Sequence, residues 1–308
     1  MTSTGSLQRK IHTATDLQSV VKMMKVLAAV NIHQYEQAVV SLTEYTQTIE
    51  KGLYIVLKNM HPQGYAMPHP NNHNDNGEAN KSTPLALTKV WGKHCGAIVF
   101  GSEQGMCGQF NEQIARYAIA EIQNAKIAID DLSIFTVGSR IIPTLETAGY
   151  PITQSFGMSS SLAGITPMVQ EMLIQIERWR EDQQIDRILL FYNRPQGNTF
   201  SEPCQLQLLP LERQWLQNIE QQSWISRSLP TFTMSGDRLF SSLLRQYFFI
   251  SIYRAFVESL ASENSSRLAS MQVAEKNIED RLAEFTIEYQ QERQTVITDE
   301  LLEIVSAY

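Results

Sequence analysis

The chain has 308 residues, of which 43 % are hydrophobic and 19 % charged, and a formal net charge of −7. That composition excludes wholesale disorder and collagen-like repeats, and the acidic balance gives no support to general nucleic-acid binding, which depends on clustered Lys and Arg. No apolar run approaches the roughly 18 residues of a membrane-spanning helix, and the opening MTSTGSLQRK lacks the apolar core of a secretory signal; a chain that is soluble, or only peripherally attached to a membrane, is expected.

From the N-terminus, apolar or small residues recur at alternating steps of four and three: Leu17, Val21, Met24, Ala28, Asn31, Tyr35, Ala38, Leu42, Tyr45 and Ile49. This is a heptad seam, and its single Asn is a known way of fixing register. No proline occurs before Pro62, so one helix of about 75 Å is predicted over 7–58 at ~1.5 Å rise per residue. The next stretch, residues 61–84, is rich in Pro, Asn and Gly and reads as a polar loop. His61, His69 and His73 fall in it at spacings that match no common structural zinc pattern, so a solvated loop is favoured over a metal site.

Beyond the loop the pattern changes. Strand-like 96–100, a glycine-rich turn, a helical pattern over 109–126, strand-like 133–137, helix-like 141–147 and 168–181, and an apolar run at 188–192 predict a small, mainly parallel sheet with helices on its faces. Residues 205–209 can add one more strand. From Asp237 to Val305 there is neither proline nor glycine, and a second seam runs through Leu268, Met271, Glu275, Ile278, Leu282, Phe285, Tyr289, Glu292 and Val296. Each long helix needs a partner for its narrow apolar stripe, and the simplest is the other, in an antiparallel coiled coil of the two chain ends.

Three segments invite a chemical reading. The turn carrying Gly105, Cys107, Gly108 and Asn111 joins a strand to a helix and can present backbone N–H groups to a phosphate. Its spacing is not GxGxxG and it lacks GK[ST], so a structural turn is the stronger reading. Cys107 lies where a helix N-terminus lowers thiol pKa values, yet it has no local His and Asp partner and reads better as a small buried residue. Cys95, Cys107 and Cys204 have no metal-finger spacing and suit a reducing compartment. Near the C-terminus, Arg293, Gln294, Thr298 and Glu300 combine hydrogen-bonding groups with a renewed apolar stripe; on the residues alone, a solvated helix face is the simpler account.

Taken together, five segments closely resemble the gamma subunits of F-type ATP synthases. Leu7-Gln8-Arg9-Lys10-Ile11 with Val21–Ala29 is similar to the family's RxKIxS…TKAMxMVAA, and Gly105–Asn111 to its GLCGGxN. Leu208-Leu209-Pro210-Leu211 matches LLPL, Leu260–Met271 resembles LASExxARxxAM, and Glu292–Val305 resembles ARQAxITxELxEIV, the most specific of the five. The resemblance covers nearly the whole chain.

It implies an α/β fold in which a long antiparallel coiled coil of N- and C-terminal helices carries an inserted small Rossmann-like α/β domain. The implied division is a shaft helix over 1–58, a polar loop and linker over 59–94, the α/β domain over 95–211, a linker over 212–236 and the second shaft helix over 237–308. The implied role is that of a rotor without a catalytic site, cofactor or metal of its own, turning inside a hexamer of alpha and beta subunits. Contacts to alpha and beta would fall on Arg293, Gln294, Thr298, Glu300, Lys22, Met24 and Lys25. Contacts to the epsilon subunit and the c-ring would fall on Ser201, Glu202, Leu208 and Leu209. The turn residues Gly105, Cys107, Gly108 and Asn111 become structural, and the location becomes the cytoplasmic face of a bacterial energy-coupling membrane, or a thylakoid membrane. The chain departs from the family at Val30–Gln34, where a basic cluster is usual, and at Ser19, where a lysine is common. Two other readings stay open: a nucleotide-using α/β enzyme whose helices serve dimerisation, and a coiled-coil adaptor.

Overall fold

A computed structural model describes residues 2–60, 94–159, 161–196, 200–221, 224, 228 and 230–307. The loop expected over 61–84, with His61, His69 and His73, lies outside the described residues. Two helices dominate: α1 (Thr2–Met60) and α6 (Gly236–Ser306), both slightly longer than predicted. They pair antiparallel, with Lys25 bonded to Glu275, Gln18 to Glu279 and Tyr45 to Gln246.

The seam of α1 returns every seven residues from Leu7 to Ile49, with Leu7, Val21, Ala28, Tyr35 and Ile49 buried and Ala14 and Leu42 half-buried. A strict seven-residue interval keeps one stripe facing the partner only if the two helices supercoil left-handedly. Two expected seam positions are not buried in it. Leu17 is 53 % exposed and Tyr45 47 %, and the half-buried places beside them belong to Gln18 and Thr46. At each end the second line of the seam lies one residue further on, so that Gln18, bonded to Glu279 of α6, and Thr46 take the half-buried places. On α6 all nine expected seam positions, Leu268 to Val296, are buried or half-buried.

Between the helices lie β1 (Cys95–Phe100), α2 (Phe110–Asn124), β2 (Leu132–Val137), α3 (Ile142–Thr147), β3 (Gln154–Phe156), α4 (Leu162–Asp182), β4 (Arg187–Gln196), β5 (Phe200–Leu209) and α5 (Arg213–Gln221). The strand order is β3-β2-β1-β4-β5, with the first four parallel and β5 antiparallel to β4. The order follows from right-handed crossovers winding outward both ways from β1. Sequence did not reveal β3 or α5, and α5 occupies part of what reads as a linker.

All six residues of β1 are buried, as a central parallel strand covered on both faces requires. Ala97 and Val99 join Ile114, Ala118 and Leu189 under α2 and α3; Ile98 and Phe100 face the other way, against Val169 and Met172 of α4 and Phe256 of α6. The period of two thus assigns one face of the sheet to the domain's own helices and shares the other with the shaft. Gly96 is needed here because a Cβ would sit 2.5 Å from the Trp179 ring. Among the described residues no helix is long and apolar enough to cross a membrane.

Candidate functional site

The turn after β1 is held from inside. Asn111, on the first turn of α2, accepts the Ser102 backbone N–H at 2.9 Å through Oδ1 and donates to Ser102 Oγ at 2.9 Å through Nδ2. Its Nδ2 also lies 3.7 Å from Cys107 Sγ. The space where a phosphate would meet backbone N–H groups is therefore filled by an amide side chain, which suits a strut rather than a cradle. Left-handed backbone occurs at Met106 (φ 63°) and Gly108 (φ 58°), and a Cβ on Gly108 would meet Ser270 Oγ of α6 at 2.8 Å. Gly105 has open space around it; its contribution is a carbonyl, which, with that of Gln104, accepts Arg267 Nη2 at 3.5 Å.

Cys107 is 3 % exposed, and burial pushes its thiol above the ordinary range, against smaller opposing contributions led by the Ser102 hydrogen bond. These surroundings suit a packed thiol better than a nucleophile. Glu263, which pairs with Arg267, is likewise raised by burial, with Arg267 pulling it the other way.

In an open parallel sheet, ligands settle outside the carboxyl ends of the strands where the winding reverses. Here that point lies between β1 and β4, and α6 fills it. Ser262 Oγ donates to the Asn193 carbonyl at 3.0 Å, and Asn193 Nδ2 reaches the Phe110 carbonyl at 3.5 Å. A little earlier on α6, Glu258, 2 % exposed, accepts Arg194 Nε at 3.1 Å and Arg254 Nε at 2.7 Å. Sequence reasoning passed over Asn193, Arg194 and Glu258, and gave Ser262, within the Leu260–Met271 segment, no role of its own. The available signal was a carboxylate inside the apolar run Ala255-Phe256-Val257-Glu258-Ser259-Leu260, since a charge placed there must find partners.

The remaining candidate residues divide by exposure. Arg293, Gln294, Thr298 and Glu300 are all exposed, and Thr298 Oγ1 donates to the Gln294 carbonyl one turn back. Lys10 lies over the Phe285 ring, so the first residues of α1 are level with roughly residue 293, and about 13 residues of α6 run on alone for ~20 Å. That end exposes Ile297, Leu301, Leu302, Ile304 and Val305. Lys22 is exposed and Met24 half-buried, whereas Lys25 is engaged with Glu275 inside the coiled coil. On β5, Glu202 is exposed and Ser201 half-buried. Leu208 and Leu209, read above as partner contacts, are 2 % and 3 % exposed and belong to the hydrophobic core. Both join that core because the β4–β5 register slips there, Ile188 pairing Leu209 and Leu189 pairing Gln207, so that the two consecutive leucines do not alternate between faces.

A family model described as ATP synthase matches residues 3–308. The chain belongs to the ATP synthase gamma family. Proteins named ATP synthase gamma chain from Heliobacterium modesticaldum and Brevibacillus brevis are each 26 % identical to it, over 302 and 309 residues, covering 97 % of this chain and 96 % of their own. A chain of the Euglena gracilis mitochondrial ATP synthase (OSCP/F1/c-ring, rotational state 3) has a TM-score of 0.60 at 15 % identity, over 99 % of this chain and 93 % of its own. One from the central stalk/c-ring structure of the Tetrahymena thermophila mitochondrial ATP synthase gives 0.54 at 17 % identity, over 83 % and 99 %. At such identities the likeness concerns the fold, and it extends to the pairing of two long helices with a Rossmann-like domain. As a member of this family the chain belongs with an ATP synthase complex, peripheral to an energy-coupling membrane.

Proposed function

We propose that this chain is the rotor of an F-type ATP synthase, turning inside an alpha–beta hexamer so that shaft angle decides which beta subunit is held open. The observation that carries the reading is the unpaired, apolar-tipped end of α6 beyond the start of α1, on a shaft whose other end is built into a globular domain. An exposed apolar tip of that length needs a socket. Coupling then runs through rigid-body states of one asymmetric object. Arg293, Gln294, Thr298 and Glu300 would meet loops of alpha and beta near that socket. Lys22, with Met24 beside it, would meet beta lower down; Lys25 would contribute less, being held by Glu275. Ser201 and Glu202 would lie toward epsilon and the c-ring, on the cytoplasmic side of a bacterial membrane.

The chain itself does no ATP chemistry in this reading. The filled switch-point crevice argues against the nucleotide-using alternative, because α6 side chains stand where a ligand would enter. Two measurements test the proposal. Stoichiometric alpha and beta subunits should co-purify with the tagged chain, which an unrelated coiled-coil adaptor would not bring down. The purified chain should fail to bind ATP at micromolar concentration; tight binding there would sink the assignment.

A further inference from the structure

The two shaft helices are attached to the globular domain unequally. Gln18, Lys25, Asn31 and Tyr45 of α1 all bond to α6, and the main contact of α1 with the domain is through α5. It is α6 that lies on the sheet, and every residue from Ala255 to Asn264 is buried. A helix buried all round is enclosed on opposite sides, here by α1 and by β4 with β5. Most of that contact is apolar, as where Phe256 meets the Phe100 ring edge-on at 4.9 Å between centroids. Close-packed apolar surfaces resist being pulled apart, yet packed helices slide over small distances at low cost.

Directed polar contacts cross the same interface. Glu258 Oε2 receives Arg194 Nε of β4 at 3.1 Å, while Arg254 of α6 holds the other carboxylate oxygen at 2.7 Å. Arg194 is fixed in turn by Nη2 donating to the Tyr192 hydroxyl at 3.0 Å. One helical turn on, Ser262 Oγ bonds the Asn193 carbonyl. Positions 258 and 262 share one face of α6, and their partners are consecutive residues of a single strand. A buried carboxylate adds little net stability once its desolvation is counted, but a pair of this kind fixes register, since a slip parts Glu258 Oε2 from Arg194 while Arg254 travels with the helix.

We infer that Glu258 and Ser262, gripping Arg194 and Asn193, are positioning residues that lock α6 against rotation relative to the globular domain. Turning force applied to the domain thus enters the shaft through α6, and α1 is carried round by the coiled coil. This rests on the rotor reading. The test uses the assembled complex with its hexamer fixed to a surface and a bead attached through Glu112→Cys, an exposed position on α2. Angular variance of the bead during the pause between catalytic steps reports the compliance between domain and hexamer. The variant E258Q/S262A keeps side-chain shape while removing the charge and the hydroxyl, and should raise that variance about twofold at an unchanged ATP hydrolysis rate. R194Q, whose side chain is 54 % exposed and whose loss the fold tolerates more easily, should raise it less, and decides the matter if the double variant does not assemble. Unchanged variance in a rotating complex overturns the inference and leaves the rotor reading intact, as does a fall in hydrolysis without a change in variance. A complex that hydrolyses ATP without turning the bead overturns both.

Discussion

Two glycines of the turn after β1 look alike in sequence and differ in what the backbone asks of them. Gly108 sits at φ 58° with a would-be Cβ 2.8 Å from Ser270 Oγ, and that hydroxyl is already committed to the Ser266 carbonyl. Gly108→Ala therefore meets both left-handed backbone and a neighbour that gives way only by losing a bond, and is expected to cost about 1–2 kcal/mol. Gly105 has neither demand on it, so Gly105→Ala should stay within about 0.5 kcal/mol of the parent. Chemical denaturation of both variants checks the pair, and equal losses would mean that the turn acts through something other than its contact with α6. The left-handed position that sequence cannot reveal is Met106, which takes φ 63° without being glycine; the turn obtains its shape from Asn111 and its hydrogen bonds.

At the scale of the element, the coiled coil distinguishes residues that the heptad pattern treats as equals. Val21 and Leu17 both read as seam, yet Val21 is 9 % exposed and Leu17 53 %. Val21→Asn places an amide against the apolar stripe of α6 and should cost about 1–3 kcal/mol. Leu17→Asn should change stability by less than about 0.5 kcal/mol. Thermal unfolding of the two variants decides whether the seam has drifted as described. The α6 seam was legible throughout because its steps of three and four coincide with the buried and half-buried positions, Glu275 and Glu292 included. On α1 the more apolar of two adjacent residues was the natural choice, while geometry turned Gln18 and Thr46 inward. Strand β3 escaped notice because three residues at a sheet edge carry no periodicity. Helix α5 escaped because its apolar residues, Trp215, Leu216 and Ile219, are few among polar ones. The polar grip of β4 on α6 was invisible for a different reason: it joins residues about 65 apart in sequence, and only the winding of the sheet brings them together.

For the whole molecule, the pieces have opposite relations to their surroundings. The sheet and the lower part of α6 share one core, so the globular domain cannot be separated from the shaft without opening that core. The far end of α6 owes nothing to the rest of the chain, since every residue from 297 to 307 is exposed. Removing residues 297–308 should therefore leave the unfolding midpoint of the chain within about 2 °C of the parent, because no buried surface is lost. The same truncation removes Ile297, Leu301, Leu302, Ile304 and Val305, the apolar surface offered to a socket, and should speed dissociation from the hexamer by about tenfold. Removing the first 20 residues of α1 is expected to act the other way round, uncovering the α6 seam from Ile278 to Tyr289 and lowering the midpoint by several degrees. If instead the C-terminal truncation destabilised the free chain, the end of α6 would have to fold back on its own shaft, and the case for a socket would lose its main support.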